Sequence, residues 1–108
     1  MSSALIIIDI QNDFCSGGAL AVKDGETIIE HINLVQGDFD TIILTQDWHP
    51  EEHSSFASNH NAEAYSNMEM DYGSQVLWPD HCIQGSGGAQ FHKNLNTDKC
   101  DLILRKGC

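Results

Sequence analysis

Three short apolar runs stand out along the chain, and each ends beside a charged or polar residue. The runs are ALIIID at residues 4–9, TIILT at 41–45 and DLILRK at 101–106. Continuous apolar runs rich in β-branched residues are typical of strands covered on both faces, as in a parallel sheet. The pattern therefore predicts three parallel strands.

A helical period lies between the first two runs. Apolar residues recur there at a spacing that places them on one face of a helix: Ile28, Ile29, Ile32 and Val35. Asp24 is the predicted N-cap, and Gly37 is predicted to end the helix. Strand, helix and strand in this order predict a βαβ unit.

From residue 46 to residue 99 the periodicity fades. This stretch contains five of the six histidines, both tryptophans and both tyrosines. Long connections of this kind are usually functional or disordered, and the aromatic and histidine content favours function. Three strands with one clear helix cannot cover both faces of a sheet. We therefore expect residues 1–108 to be one α/β domain that is incomplete at its C-terminal end.

Composition narrows the class of protein. The 108 residues carry a formal charge of -11, from 16 acidic and 5 basic residues, which disfavours binding to nucleic acid or anionic lipid. The longest apolar stretch, residues 4–8, is too short to span a bilayer. No two of the four cysteines have Cys-x-x-Cys spacing, so reduced thiols are expected rather than a disulfide framework. A cytoplasmic protein is the prediction.

Polar residues close each predicted strand. The first ends at Asp9, the second runs into Asp47, and the third ends at Lys106. Because the carboxyl ends of parallel strands meet at one sheet edge, these three side chains are expected to lie together. Asp9 is then either a general base or a carboxylate that caps loop amides.

The segment DWHPEEH, residues 47–53, concentrates metal-competent side chains. Asp47, His49 and His53 offer the mixed carboxylate and imidazole ligands that zinc, iron or manganese accept. Spacing leaves a further ligand open among three later histidines: His60, His81 and His92. An acidic surface turn with decorating histidines explains the same residues equally well. Trp78, close to His81, either forms the floor of a pocket for a flat ring or belongs to the core.

Four segments together resemble one known family. ALIIIDIQNDFCSGGALAV, TQDWHPEEHSSF, LWPDHCIQG and LRKG follow the order and spacing of the nicotinamidase/pyrazinamidase family, in the isochorismatase-like cysteine hydrolase superfamily. The resemblance implies a three-layer α/β/α sandwich with a mainly parallel sheet, of which this chain is the N-terminal portion. It also implies deamidation of nicotinamide or pyrazinamide to the acid plus ammonia, through a cysteine thioester, in NAD salvage.

The resemblance assigns roles to individual residues. It makes Asp9 the proton acceptor and Lys106 the catalytic lysine. It implies a divalent metal ion, zinc, iron or manganese, with four ligands: Asp47, His49, His53 and His81. It matches three residues to the pocket for the pyridine ring: Phe14, Leu20 and Trp78. Asp13, Gln46 and Cys82 would support the site from behind.

One part of the family pattern has no counterpart in these residues. The family's nucleophilic cysteine lies in a later segment, and Cys108 does not match its position. We therefore expect residues 1–108 alone to give no turnover. A non-catalytic metal-binding domain and a related hydrolase with another substrate remain alternatives. The expected partner is a small nicotinamide-like molecule, and a homo-oligomer is compatible with the sequence.

Overall fold

The structure, a computed structural model, describes residues 2–108. Five strands and one α-helix follow one another in the order β1 (Ala4–Ile8), α1 (Ile29–Val35), β2 (Thr41–Asp47), β3 (Asn67–Met70), β4 (Gly73–Val76) and β5 (Leu102–Lys106). Five short 3₁₀ turns lie between them, at Asn12–Phe14, Gly25–Ile28, Gln36–Asp38, Ala57–His60 and Gly87–Ala89. No helix within residues 2–108 is long and apolar enough to cross a membrane.

The three predicted strands form one parallel sheet in the order β1-β2-β5. Ile8 is the register partner of Thr45, and Asp47 is the partner of Lys106. All three strands therefore end at the same edge, as the sequence predicts. The parallel sheet with its crossover helix confirms the α/β class.

The core lies on one face of this sheet. Ile7 and Leu44 point into it, and Leu44 is fully buried. Ile29 of α1 and Leu95 close the cluster from the other side. Burial of such side chains supplies the main force that holds α1 on the sheet.

The opposite sheet face remains apolar and exposed within residues 2–108. Its side chains, each more than half exposed, come from both outer strands: Ile6, Ile8, Leu102 and Leu104. Because side chains alternate across a strand, these residues share the face that the core does not use. The described part of the chain thus covers one sheet face only.

The helix prediction needs correction at its start. Asp24 precedes the 3₁₀ turn, but its backbone is left-handed (φ 57°) and its side chain makes no capping hydrogen bond. Ile28 lies in that turn and is exposed, so it does not share the buried face with Ile29. Regular α-helix covers only Ile29–Val35, and Gly37 lies inside the closing 3₁₀ turn.

The stretch between β2 and β5 contains elements that the sequence pattern did not reveal. Strands β3 and β4 pair antiparallel as a separate two-stranded hairpin. Their side chains are mostly exposed or half-buried, so they need no alternation of apolar and polar residues. Turns outside the hairpin bring His49 and His81 close together beyond the end of β2.

Candidate functional site

The three strand-end residues form an ion-pair cluster. Lys106 Nζ donates to Asp9 Oδ2 at 2.8 Å and to Asp47 Oδ1 at 2.5 Å. Partial burial alone would lower the pKa of Lys106, but the hydrogen bonds to Asp47 and Asp9 outweigh it and raise that pKa. The structure therefore brings a cation and two carboxylates together where the strand order predicts them.

The backbone at Asp9 turns sharply out of β1. Its φ of 54° is unusual for a residue other than glycine, and two contacts with Thr45 hold it. The Asp9 N–H donates to Thr45 O at 3.2 Å, and the Thr45 hydroxyl donates to Asp9 Oδ1 at 2.7 Å. Both carboxylate oxygens of Asp9 are thus engaged, so the side chain has a defined orientation.

A group of metal-competent side chains adjoins this cluster. Asp47, His49 and His81 each offer one ligand atom, and these atoms lie within 4.8 Å of one another. Both histidines are buried, and His49 Nε2 lies 3.5 Å from Asp47 Oδ2. The chain brings them together by pairing residues 49 and 83 as a parallel bridge beyond the end of β2. A distant loop therefore delivers His81 to the strand end.

Hydrogen bonds define the ring nitrogens that face this group. His49 Nδ1 lies 2.7 Å from Gly107 O, and His81 Nδ1 lies 2.8 Å from Pro79 O. Carbonyl oxygens only accept, so each Nδ1 carries a proton, and the neutral form of each ring has its lone pair at Nε2. Metal-binding histidines commonly have this arrangement. The donor set thus fits a divalent metal ion.

His53 lies beside this group but has different hydrogen bonds. Its ring centroid is 4.5 Å from that of His49. Its Nδ1 lies 2.8 Å from Ser55 Oγ and accepts the Ser55 N–H at 3.2 Å. Burial and the neighbouring imidazoles of His49 and His81 lower the pKa of His53. Its role as fourth ligand stays a prediction.

The other two candidate histidines lie outside the group of three ligand atoms. His60 Nε2 bonds to Ser54 O at 2.6 Å, and His92 Nδ1 accepts the Asn94 N–H at 3.1 Å. Among the three later histidines that spacing left open, the geometry brings only His81 into the described group.

An apolar cleft opens beside Asp9. Its volume is about 300 Å³, and its lining includes Asp9, Phe14 and Val22. The Phe14 ring lies 5.8 Å from the His81 ring, so it borders both the cleft and the metal-competent group. Leu20 and Trp78 are outside this lining; Trp78 instead packs edge-on against Tyr65 at 6.1 Å. The pocket roles of these residues stay predictions.

Supporting contacts lie behind the site. Asp13 Oδ2 accepts the Cys82 N–H at 2.7 Å, and Cys82 has a left-handed backbone (φ 49°). Burial, with the nearby carboxylates, raises the pKa of the Cys82 thiol to about 12, so this thiol is neutral near pH 7. Gln46 Nε2 donates to Ala89 O at 2.8 Å. Two further contributors have no recognisable signal in the sequence pattern: Gln11 and Thr45.

Known proteins resemble this chain in sequence and in structure. A nicotinamidase of Acinetobacter baylyi is 50% identical over 105 residues, covering 96% of this chain and 49% of that protein. The solved nicotinamidase/pyrazinamidase of Acinetobacter baumanii superposes with a TM-score of 0.94 at 54% identity, over 98% of this chain and 52% of that one. A Pyrococcus horikoshii pyrazinamidase, solved in complex with zinc, gives 0.74 at 33% identity over 99% and 52%. The chain spans about half the length of the curated relatives it matches.

Residues 3–108 also match the isochorismatase domain, which is nearly the whole described chain. With its Asp–Lys cluster and ligand group at the sheet edge, this chain belongs to the isochorismatase domain family.

Proposed function

We propose that the protein is a metal-dependent amidohydrolase that converts nicotinamide, and the analogue pyrazinamide, to the acid plus ammonia. The single observation that carries the proposal is the shared carboxylate of Asp47. One oxygen bonds Lys106, and the other faces His49, so a proton-handling pair and a metal-competent group adjoin. Relatives named nicotinamidase match this whole region.

Asp9 is the proposed proton acceptor. In the proposed reaction a cysteine thiol passes its proton to Asp9, and the sulfur attacks the substrate carbonyl carbon. The C–N bond then breaks, Asp9 gives the proton to the departing nitrogen, and ammonia leaves the thioester. Water then cleaves the thioester to release the acid. Lys106 holds the Asp9 carboxylate in place and favours negative charge beside it. The cleft lined by Phe14 gives the pyridine ring an apolar wall.

Asp47, His49 and His81 would hold the metal, with His53 as the proposed fourth ligand. A bound zinc, iron or manganese ion would supply a Lewis-acid contact that orients a ring nitrogen. The hydrogen bonds of Nδ1 in His49 and His81 leave Nε2 of each neutral imidazole as the nitrogen that would bind the metal.

A second candidate is a metal-binding domain without turnover. Among residues 2–108, none of the four free cysteines hydrogen-bonds to Asp9. Cys82 and Cys15 are buried, and Cys108 is exposed. Metal content without ammonia release would favour this candidate.

The test measures ammonia release from nicotinamide by the full gene product, whose intact mass and metal content are determined on the same preparation. Asp9→Asn should lower kcat by about 10²- to 10⁴-fold, the usual contribution of a general base. Asp38→Asn is the matched control, because Asp38 is exposed near the opposite end of β2. His81→Ala should remove the bound metal, whereas His92→Ala should keep it. Full activity of Asp9→Asn would contradict the proposal.

A further inference from the structure

Gln11 has an unusual position directly behind Asp47. Its side chain is fully buried, although it carries both a hydrogen-bond donor and an acceptor. Buried amides are costly unless they are bonded, so the partners of this one show what it stabilises. Every polar atom of the Gln11 amide has a partner.

Two of these bonds go to the backbone of a single residue. Gln11 Nε2 donates to Asp47 O at 2.8 Å, and Gln11 Oε1 accepts the Asp47 N–H at 2.9 Å. A third bond, from Nε2 to Ala89 O at 2.9 Å, anchors the amide to the turn Gly87–Ala89. The Gln11 amide thus hydrogen-bonds both the N–H and the C=O of Asp47.

The end of the pairing between β1 and β2 explains these two hydrogen bonds. Pairing between β1 and β2 ends at Ile8 and Thr45, since the chain turns away at Asp9. The next residues of β2 would therefore lose their neighbour on that side. The Gln11 side chain makes the two bonds that a longer β1 would otherwise make, while Lys106 pairs with Asp47 on the other side.

We infer that Gln11 is a positioning residue for the metal group: it holds the Asp47 backbone so that the carboxylate stays divided between Lys106 and the histidines. The inference rests on the proposed metal site. Gln11 does not contact the reacting atoms, and it acts through Asp47 alone. Partners of this kind typically change metal affinity by roughly 10- to 100-fold when removed.

The test compares two buried glutamines. Gln11→Met keeps the shape without the amide or a charge, and Gln36→Met makes the same change at a glutamine that is also buried. Gln36 bonds Asn96 O and Asn33 Oδ1, outside the metal group. Zinc affinity is measured by competition with a chromophoric chelator, and circular dichroism verifies the fold of each variant.

Gln11→Met should bind zinc about 10- to 100-fold more weakly than the wild type, and Gln36→Met should bind it as the wild type does. Equal affinity of Gln11→Met and the wild type would overturn the inference while leaving the metal site intact. Failure of the wild type to bind zinc would instead overturn the proposed site, and the role of Gln11 with it.

Hydrogen exchange gives a second measurement that needs no variant and no metal. In the metal-free wild type, the Asp47 amide should exchange as slowly as amides inside β2, because Gln11 Oε1 accepts it. Rapid exchange at Asp47, with protection retained in the centre of β2, would overturn the inference even if Gln11→Met failed to fold.

Discussion

Replacing Gly88 with alanine should disturb the support behind the site. A Cβ atom at Gly88 would lie 2.1 Å from Asp13 Oδ2 and 2.4 Å from Asp13 Cγ. Both distances are far below any real contact, so the Asp13 carboxylate must move. Gly87 lies in the same turn, and a Cβ there meets nothing within 4 Å. Adjacent glycines therefore separate the steric effect from the general effect of the substitution.

The magnitude follows from what Asp13 loses when it rotates away. Its Oδ2 accepts the buried Cys82 N–H at 2.7 Å, and its Oδ1 accepts the Ala19 N–H at 3.2 Å. A hydrogen bond to a charged group contributes about 1.5 to 3 kcal/mol, and the second bond is longer and exposed. The free energy of unfolding should therefore fall by about 2 to 4 kcal/mol. A domain of this size has about 5 to 15 kcal/mol, so Gly88→Ala should still fold.

Urea unfolding of the two alanine variants measures this difference. Gly87→Ala should lie within about 0.5 kcal/mol of the wild type, as is usual for open surface positions. A double-mutant cycle that combines Gly88→Ala with Asp13→Ala is the sharper assay. Because Asp13→Ala removes the carboxylate that clashes, Gly88→Ala should change the free energy of unfolding little in that background. Equal stability of Gly88→Ala and Gly87→Ala, or an undiminished cost in the Asp13→Ala background, would refute the reasoning.

Two further predictions concern titratable groups. Cys108 should react with a thiol reagent well before Cys82, because Cys108 is exposed whereas burial raises the pKa of Cys82 to about 12; mass spectrometry of timed samples checks the order, and earlier labelling of Cys82 would contradict it. The hydrogen bond from the Ser16 hydroxyl lowers the pKa of Glu26. Ionised Glu26 therefore stabilises the folded state above the ordinary glutamate pKa, and this stabilisation is lost as the pH falls through the lowered value. Carboxyl NMR titration should show a higher pKa for Glu26 in Ser16→Ala, and an unchanged value would contradict the assignment.

The parallel sheet could be predicted because its strands carry a local signal. Each strand is a short apolar run, and the parallel rule then places its last residue at a common edge. That rule alone predicts that Asp9, Asp47 and Lys106 lie together, and the hydrogen bonds among them confirm it. Prediction succeeded where one geometric rule decides the outcome.

The hairpin and the helix start could not be predicted in the same way. β3 and β4 pair through their backbones while their side chains stay mostly exposed or half-buried, so little apolar pattern marks them. At Asp24 the residue type favours a cap, but the chain passes through a left-handed conformation that leads into a 3₁₀ turn instead. In both places the backbone geometry determines the structure, and the residue types alone do not predict it.

Backbone pairing determines which of the three later histidines joins Asp47 and His49. Sequence spacing treats His60, His81 and His92 alike, since all three lie in the long connection after β2. In the fold, the His49 N–H donates to Cys82 O at 2.9 Å, and the Gln84 N–H donates to His49 O at 2.8 Å. These two backbone hydrogen bonds pair the chain just beyond β2 with the segment that carries His81.

The role of Gln11 likewise depends on the fold and not on its residue type. A glutamine three residues after a strand suggests a solvated loop, yet here its amide makes hydrogen bonds that the backbone of β1 does not provide. The ligand side chains of Asp47, His49 and His81 can be suggested from chemistry, because carboxylates and imidazoles bind metals. The groups that hold their backbones are ordinary amides and carbonyls with no such signature. Their importance follows only from where β1 stops, and it is there that the site depends most on the fold.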